Sequence, residues 1–338
     1  MTSYVLGLVI NPTSGLGRGA KIGDQVRQLF VDAGVAIVEL SADNAKDAFA
    51  RARAAAMDGL DGLVVVGGDG MVNLGVNATI GTTTPLAIIA AGSGNDFAQT
   101  LGLPLKDVRA GVAAVLEALE HASVVALDAA QVEPYVTPPA SARFGRIDAG
   151  ATSAHSDTSR RWYAGSLSIG IDAAVNAQAN TYSWPRGHLK YLRAVVACLA
   201  GFKPFGYRIT VDGKTFESAG TLAAVSNAPN FGGGIQIAPM ADLTDGLLDL
   251  VFATPLTQGQ IMKIFPKLYK GHHVSHPAVS FQQGSEFIIE PGPQGQFPPV
   301  AFADGEVVGT VPLRVKAHRG ALKVLLVQPE AHATKHNH

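Results

Sequence analysis

From Val5 to Ala90 the chain alternates short apolar runs with stretches of helical periodicity, and this alternation limits the possible folds more than any other feature. Val5 to Ile10 reads as a buried strand, and Ile22, Val26, Leu29, Phe30 and Ala33 then share one helical face. Further strands are expected over 35–40, 63–66 and 85–90, with a second helix over 45–57. Strands separated by helices form βαβ units. The expectation is therefore a mostly parallel sheet with ligands at the carboxyl ends of its strands.

After about Val124 strand-like runs follow one another, over 124–132, 166–173, 207–211, 215–225 and 247–253, with Asp212-Gly213 as a hairpin signal. Helical patterns interrupt near 188–200 and 258–269. This half reads as an antiparallel β domain. The stretch 137–161 is rich in Pro, Ser, Ala, Gly and Arg without periodicity, and is expected to be a flexible insertion. The expected division is 1–123 and 124–320, with 321–330 returning to the first domain.

Composition excludes several classes. With 338 residues, 47% apolar and 16% charged, the chain can bury two cores and is neither disordered nor a coiled coil. Lys and Arg number 26 against 27 Asp and Glu, so the basic excess of a general nucleic-acid binder is missing. The single cysteine, Cys198, excludes an internal disulfide framework and a Cys-rich zinc site, which points to a reducing cytoplasmic home. No transmembrane segment or signal peptide is expected, so any contact with a membrane would be peripheral.

Glycine-rich stations follow the strand ends. The first is Asn11-Pro12-Thr13-Ser14-Gly15, running on to Gly19; such a loop ahead of a helix presents backbone N–H groups to phosphate. Gly15-x-Gly17-x-x-Ala20 with Glu39 downstream also matches a relaxed dinucleotide fingerprint, but Gly15 stands four residues too far from the strand end. The second station is Gly67-Gly68-Asp69-Gly70, a strand ending in a carboxylate held between glycines. The third, Gly92-Ser93-Gly94-Asn95-Asp96-Phe97-Ala98, again lies between strand and helix; Asn95 and Asp96 read equally well as helix caps. Later come Asp242-Leu243-Thr244-Asp245-Gly246-Leu247 and Asp304-Gly305-Glu306, the last also readable as a plain hairpin turn.

The order NPTSG, GGDG, GSGNDFA, DGLLD and DGE resembles the diacylglycerol kinase catalytic-domain family, which includes sphingosine kinases, ceramide kinases and soluble bacterial lipid kinases. The resemblance spans Asn11 to about Val327. It implies a first domain like those of phosphofructokinase and NAD kinase and a C-terminal β-sandwich, with ATP and Mg2+ in the interdomain cleft. ATP would be held by Asn11, Pro12, Thr13, Ser14, Gly15, Ser41, Gly67, Gly68, Asp69, Gly70, Met71, Val72, Asn73, Ser93 and Asn95. Asp69 would serve the magnesium or the reacting centre, and Glu306 with Asp304 would accept the proton of the lipid hydroxyl. Asp245, with the carbonyls of Asp242 and Leu247, would bind a structural Mg2+.

The implied reaction is ATP-dependent phosphorylation of a lipid alcohol at a membrane surface, with diacylglycerol giving phosphatidate as first choice. A sphingoid-base kinase, an NAD-kinase-like phosphotransferase and a non-catalytic nucleotide-binding regulator are the alternatives, and a homodimer is a further expectation. Departures from the pattern are Met71 where the family often has Thr, Gln99 where Arg is common, and Ser41, whose spacing to Asp47-Ala48 is off by one. None removes a carboxylate, so an active kinase is expected.

Overall fold

The computed structural model describes residues 4–11, 19–136, 160–181, 193–194, 197–199 and 201–327. The chain divides into two units, the first running to Leu127 and resuming at Gly320, the second covering Asp128–Arg319.

The first unit contains β1 (Val5–Ile10), α1 (Gly19–Asp32), β2 (Ala36–Glu39), α2 (Ala45–Asp58), β3 (Gly62–Gly67), α3 (Asp69–Thr79), β4 (Leu86–Ala90), α4 (Asp96–Thr100) and α5 (Val108–Glu120). Its strands lie in the order β2-β1-β3-β4 and all pairings are parallel. β3 and β4 are buried along their whole length, which is why they read as unbroken apolar runs instead of alternating ones. Val26 and Phe30 of α1 and Val115 of α5 pack on the sheet residues Leu8, Val64 and Ile89. The caps are local: Asn44 accepts from the Asp47 amide at α2, and Asp107 from the Ala110 amide at α5.

β5 (Val124–Pro134) leads into the second unit, which holds β6 (Arg161–Tyr163), β7 (Ser166–Gly170), α6 (Ile171–Thr181), β8 (Phe205–Val211), β9 (Lys214–Gly220), β10 (Leu222–Ser226) and β11 (Leu248–Ala253). There follow α7 (Gln258–Leu268), β12 (Val279–Gly284), β13 (Glu286–Pro291), β14 (Ala301–Ala303), β15 (Glu306–Gly309) and β16 (Leu313–Leu325). One antiparallel sheet has the order β12-β11-β10-β7-β14-β15. The other runs β16-β13-β8-β9, with β5 beside β16 and β6 beside β5. Leu167, Ile169, Val225 and Leu250 from the first face Tyr207, Ile209, Phe287 and Val315 from the second in one core. That is a β-sandwich. The last residues of β16 return to the first unit, where Val324 pairs in parallel with Leu86 of β4.

Two strand expectations change. The run 215–225 is two strands, β9 and β10, which break at Thr221 and enter different sheets. The run 166–173 stops at Gly170, and α6 begins at once. Of the expected insertion 137–161, only Arg160 and Arg161 fall among the described residues, and Arg161 opens β6. Most of the helix expected over 188–200 lies outside them too.

Candidate active site

In the first unit the second and third glycine stations are fastened together by Asp69. Its Oδ2 accepts the Asn95 amide at 3.0 Å and its Oδ1 the Asp96 amide at 2.8 Å. A carboxylate in the first turn of α3 thus also satisfies the amides that open α4. The loops touch through glycine: a Cβ on Gly92 would lie 2.3 Å from the Cα of Gly68, and one on Gly94 would lie 2.5 Å from Asp69 Oδ2. The result is a loop edge at the carboxyl ends of β3 and β4, with Gly70 and Ser93 exposed on it. The first amides of α3 have no acceptor within the helix, so this edge suits an anion.

Other residues expected at the nucleotide prove to shape this edge. Asn95 is buried in a left-handed conformation, and its side chain both donates to the Gly92 carbonyl and accepts from the Gly92 amide at 3.0 Å. Its amide group thus holds the loop in shape. Ser41 Oγ accepts the Ile10 amide and donates to Glu39, tying β1 to β2. Met71 and Val72 are buried, and Met71 packs over Gly67, so their side chains belong to the core. Asn73 is half-buried and Asn11 donates its amide to Val66. Pro12, Thr13, Ser14 and Gly15 lie outside the described residues. Glu39 is occupied by Arg27 and Ser41, which removes the acidic residue that the dinucleotide fingerprint would require for a ribose.

In the second unit Asp304-Gly305 is a two-residue hairpin turn between β14 and β15, with φ of 48° and 84°. The Asp304 carboxylate is not free: Oδ2 accepts the Ala164 amide, and Oδ1 those of Gly165 and Ser166, all at 3.0 Å. Three backbone donors make it a clamp on the loop before β7. Glu306, two residues on, is exposed, and no hydrogen bond or ion pair holds its carboxylate among the described residues.

The same loop is held from below by Asn227, buried at the end of β10, whose amide donates to the carbonyls of Ala164 and Asp128. Asp128 in turn accepts the Gly246 amide through Oδ2 at 2.6 Å. A continuous chain of hydrogen bonds therefore links the Glu306 hairpin to the turn carrying Asp242 and Asp245. Neither Asp128 nor Asn227 was singled out by sequence. A lone carboxylate at the centre of the apolar run 124–132 was the available signal for the first.

In that turn Asp242 accepts from the amide and hydroxyl of Thr244, and Asp245 Oδ1 from the Leu247 amide at 2.8 Å. Among the described residues Asp245 Oδ2 accepts only from Gln283, at 3.5 Å. Burial pushes neighbouring Asp249 up to about 6, with the charge of Asp245 adding to the shift. Among the described residues no group of three or more His, Cys, Asp or Glu side chains is arranged for a metal. The donors are all oxygen: a mostly unengaged carboxylate oxygen beside a second carboxyl that resists ionisation. This fits Mg2+, which takes one or two carboxylates and keeps its waters.

Asp172 is a further residue that sequence reading passed over, because it sits inside an apolar run. Both its carboxylate oxygens are buried without a hydrogen bond of ordinary geometry. Burial raises its pKa to about 6, opposed in part by Ser168 and the amides at the start of α6. On either side of it, Ile171 and Val175 pack into an apolar cluster with Leu199, Leu256 and Ile261.

The sequence and the fold both have matches among known proteins. The sequence model of the diacylglycerol kinase catalytic domain matches residues 5–132, and that of the YegS C-terminal NAD kinase beta sandwich-like domain matches 165–326. A diacylglycerol kinase of Mycobacterium tuberculosis (strain ATCC 25618 / H37Rv) is 32% identical over 317 residues, covering 93% of each chain. One from Bacillus subtilis (strain 168) is 25% identical over 313 residues, covering 90% of each. In fold, the crystal structure of a diacylglycerol kinase from Bacillus anthracis str. Sterne superposes with a TM-score of 0.65 at 19% identity, covering 97% of this chain and 98% of that one. With its two matching domains in this order and a relative of this identity along nearly its whole length, the chain belongs to the diacylglycerol kinase family of lipid kinases.

Proposed function

We propose that the protein transfers the γ-phosphoryl group of ATP to the free hydroxyl of diacylglycerol, giving phosphatidate and ADP. The observation that carries this reading is the Asp69 clasp, which holds two glycine loops as one amide-bearing edge at the carboxyl ends of parallel strands. Phosphoryl transfer needs phosphate positioning before it needs covalent chemistry, and a rigid edge of N–H donors supplies that. Ser93 and the Gly70 backbone would meet the phosphates there. The choice of diacylglycerol rests on the Mycobacterium tuberculosis and Bacillus subtilis relatives, which are diacylglycerol kinases.

The acceptor hydroxyl must lose a proton as its oxygen bonds to phosphorus and the bond to the ADP oxygen breaks. Glu306 is suited to take that proton: it is exposed, unpaired, and carried by a hairpin that Asp304 anchors through three hydrogen bonds. Asp172 is suited to accept the lipid hydroxyl, since its buried oxygens hold no hydrogen bond of ordinary geometry among the described residues and apolar side chains flank it. Asp245, with the carbonyls of Asp242 and Leu247, would hold Mg2+. An ion held there would supply positive charge to offset the carboxylates of the turn. Among the described residues no helix is long and apolar enough to cross a membrane, so the lipid would be met at the membrane surface.

The test is radiolabelled phosphate transfer from ATP and Mg2+ to diacylglycerol, monoacylglycerol, sphingosine, ceramide and NAD, the lipids in mixed micelles. Wild type should label diacylglycerol, and Glu306→Gln should lose about a hundredfold or more of the rate with an unchanged melting temperature. Label only in sphingosine or only in NAD would overturn the substrate. ATP binding without label in any acceptor would make the chain a regulator.

A further inference from the structure

The outer face of the second unit carries a cluster of cations that the proposed reaction does not use. Arg314, Lys316 and His318 are alternate residues of β16, while Leu313 and Val315, which alternate with them, are buried in the core. Alternation places the three on one face about 6.7 Å apart along the strand, which brings like charges together unless something offsets them. With Gln131 and Glu133 of β5 and with Arg160 they line an open polar cavity of about 190 Å³.

The carboxylates nearby do not use up the donors. Glu133 is taken by Arg160 Nε at 3.0 Å, and Glu286 by Arg314 Nη2 at 2.7 Å. Glu286 stands opposite Lys316 in the ladder yet is paired with Arg314, so the Lys316 ammonium forms no ion pair among the described residues. Arg314 Nε and His318 Nε2 are both buried with no hydrogen-bond partner among the described residues. A buried donor without an acceptor costs about 1–3 kcal/mol; Arg314 Nε is one, and His318 Nε2 is a second in its Nε2–H tautomer. His318 also reports the local potential. After burial, the strongest influence lowering its pKa is Lys316, and Glu133 opposes it more weakly. The positive charge therefore prevails at the cavity floor.

We propose that this cavity is a binding site for a phosphate-bearing anion, held by Arg314 Nε, the Lys316 ammonium and the Nε2-protonated tautomer of His318. Arg160, Arg314 and Lys316 carry three formal positive charges against two negative ones from Glu133 and Glu286, which leaves one that a phosphate monoanion would balance. Arginine and lysine side by side are the usual recognition chemistry for phosphate oxygens. The phosphate can be free in solution or the head of an anionic lipid. The inference does not rest on the kinase reading, since none of these residues takes part in it.

Calorimetric titration of the whole chain with inorganic phosphate at low ionic strength tests the site, beside co-sedimentation with phosphatidylcholine vesicles with and without phosphatidate. Lys316→Gln and Arg314→Lys are the variants; the second keeps the charge facing Glu286 but removes Nε, and melting curves check both folds. Phosphate binding weakened at least fivefold in each variant, with a matching loss of phosphatidate-dependent sedimentation, supports the site with a lipid head as its source. The same weakening without any vesicle preference supports it with soluble phosphate. Failure to bind either probe, or binding that both folded variants retain in full, overturns it.

Discussion

Asp69 illustrates how a functional motif and its physical duty can differ. Its position between glycines at a strand end marks it as special, but a carboxylate in that setting reads the same whether it faces a ligand or a neighbouring loop. Here both oxygens hold the start of α4. Gly94→Ala should therefore act through Asp69, since its Cβ would lie 2.5 Å from Oδ2. Kinase activity should fall about tenfold or more while the melting temperature drops only modestly, as steady-state kinetics and a thermal scan would reveal. Asp172 was illegible for the opposite reason. A lone acid in an apolar run carries no local pattern, and only the folded packing seals its oxygens. Its carboxyl titrates at about 6 against an ordinary 3.8. Below pH 4 folded and unfolded chains both hold that proton. Between pH 4 and 6 the folded chain holds it longer, so stability falls as pH rises and stays lower above 6. Asp172→Asn should accordingly stabilise the protein by up to about 3 kcal/mol at pH 8 and by almost nothing at pH 4, measured by denaturant unfolding.

At the scale of elements, the βαβ half was legible because buried parallel strands leave continuous apolar runs and the helices between them keep their period. The second half was harder. Gly220-Thr221 offers no strong turn signal between β9 and β10, so a change of sheet looked like one long strand. Helix α6 starts directly behind Gly170 and is too short for its periodicity to separate from the strand before it. The hairpin of β14 and β15 was recognisable from Asp304-Gly305, but not the division of labour inside it. Asp304→Ala removes an acceptor from three backbone amides and should cost about 2–4 kcal/mol in unfolding experiments. Glu306→Gln, exposed and unpaired, should stay within about 0.5 kcal/mol of wild type while activity collapses. Equal stability losses in the two variants would contradict this division.

For the whole molecule, the chain leaves the first unit at Leu127 and re-enters it at Gly320. Leu322, Val324 and Leu325, buried at 0%, 0% and 4% exposure, belong to that return. Three such side chains are worth roughly 5–8 kcal/mol, comparable to the entire stability of a domain. A chain stopped at Arg319 should thus keep a protease-resistant second unit while the first becomes susceptible, which limited proteolysis with mass spectrometry would read directly. The return also sets the order of events at the ribosome. The strand partner of Leu86 leaves the exit tunnel only after the whole second unit, so the first unit, begun before it, is completed after it. Until then β4 has an open edge, and a newborn chain depends on the inserted sandwich folding promptly to bring β16 home.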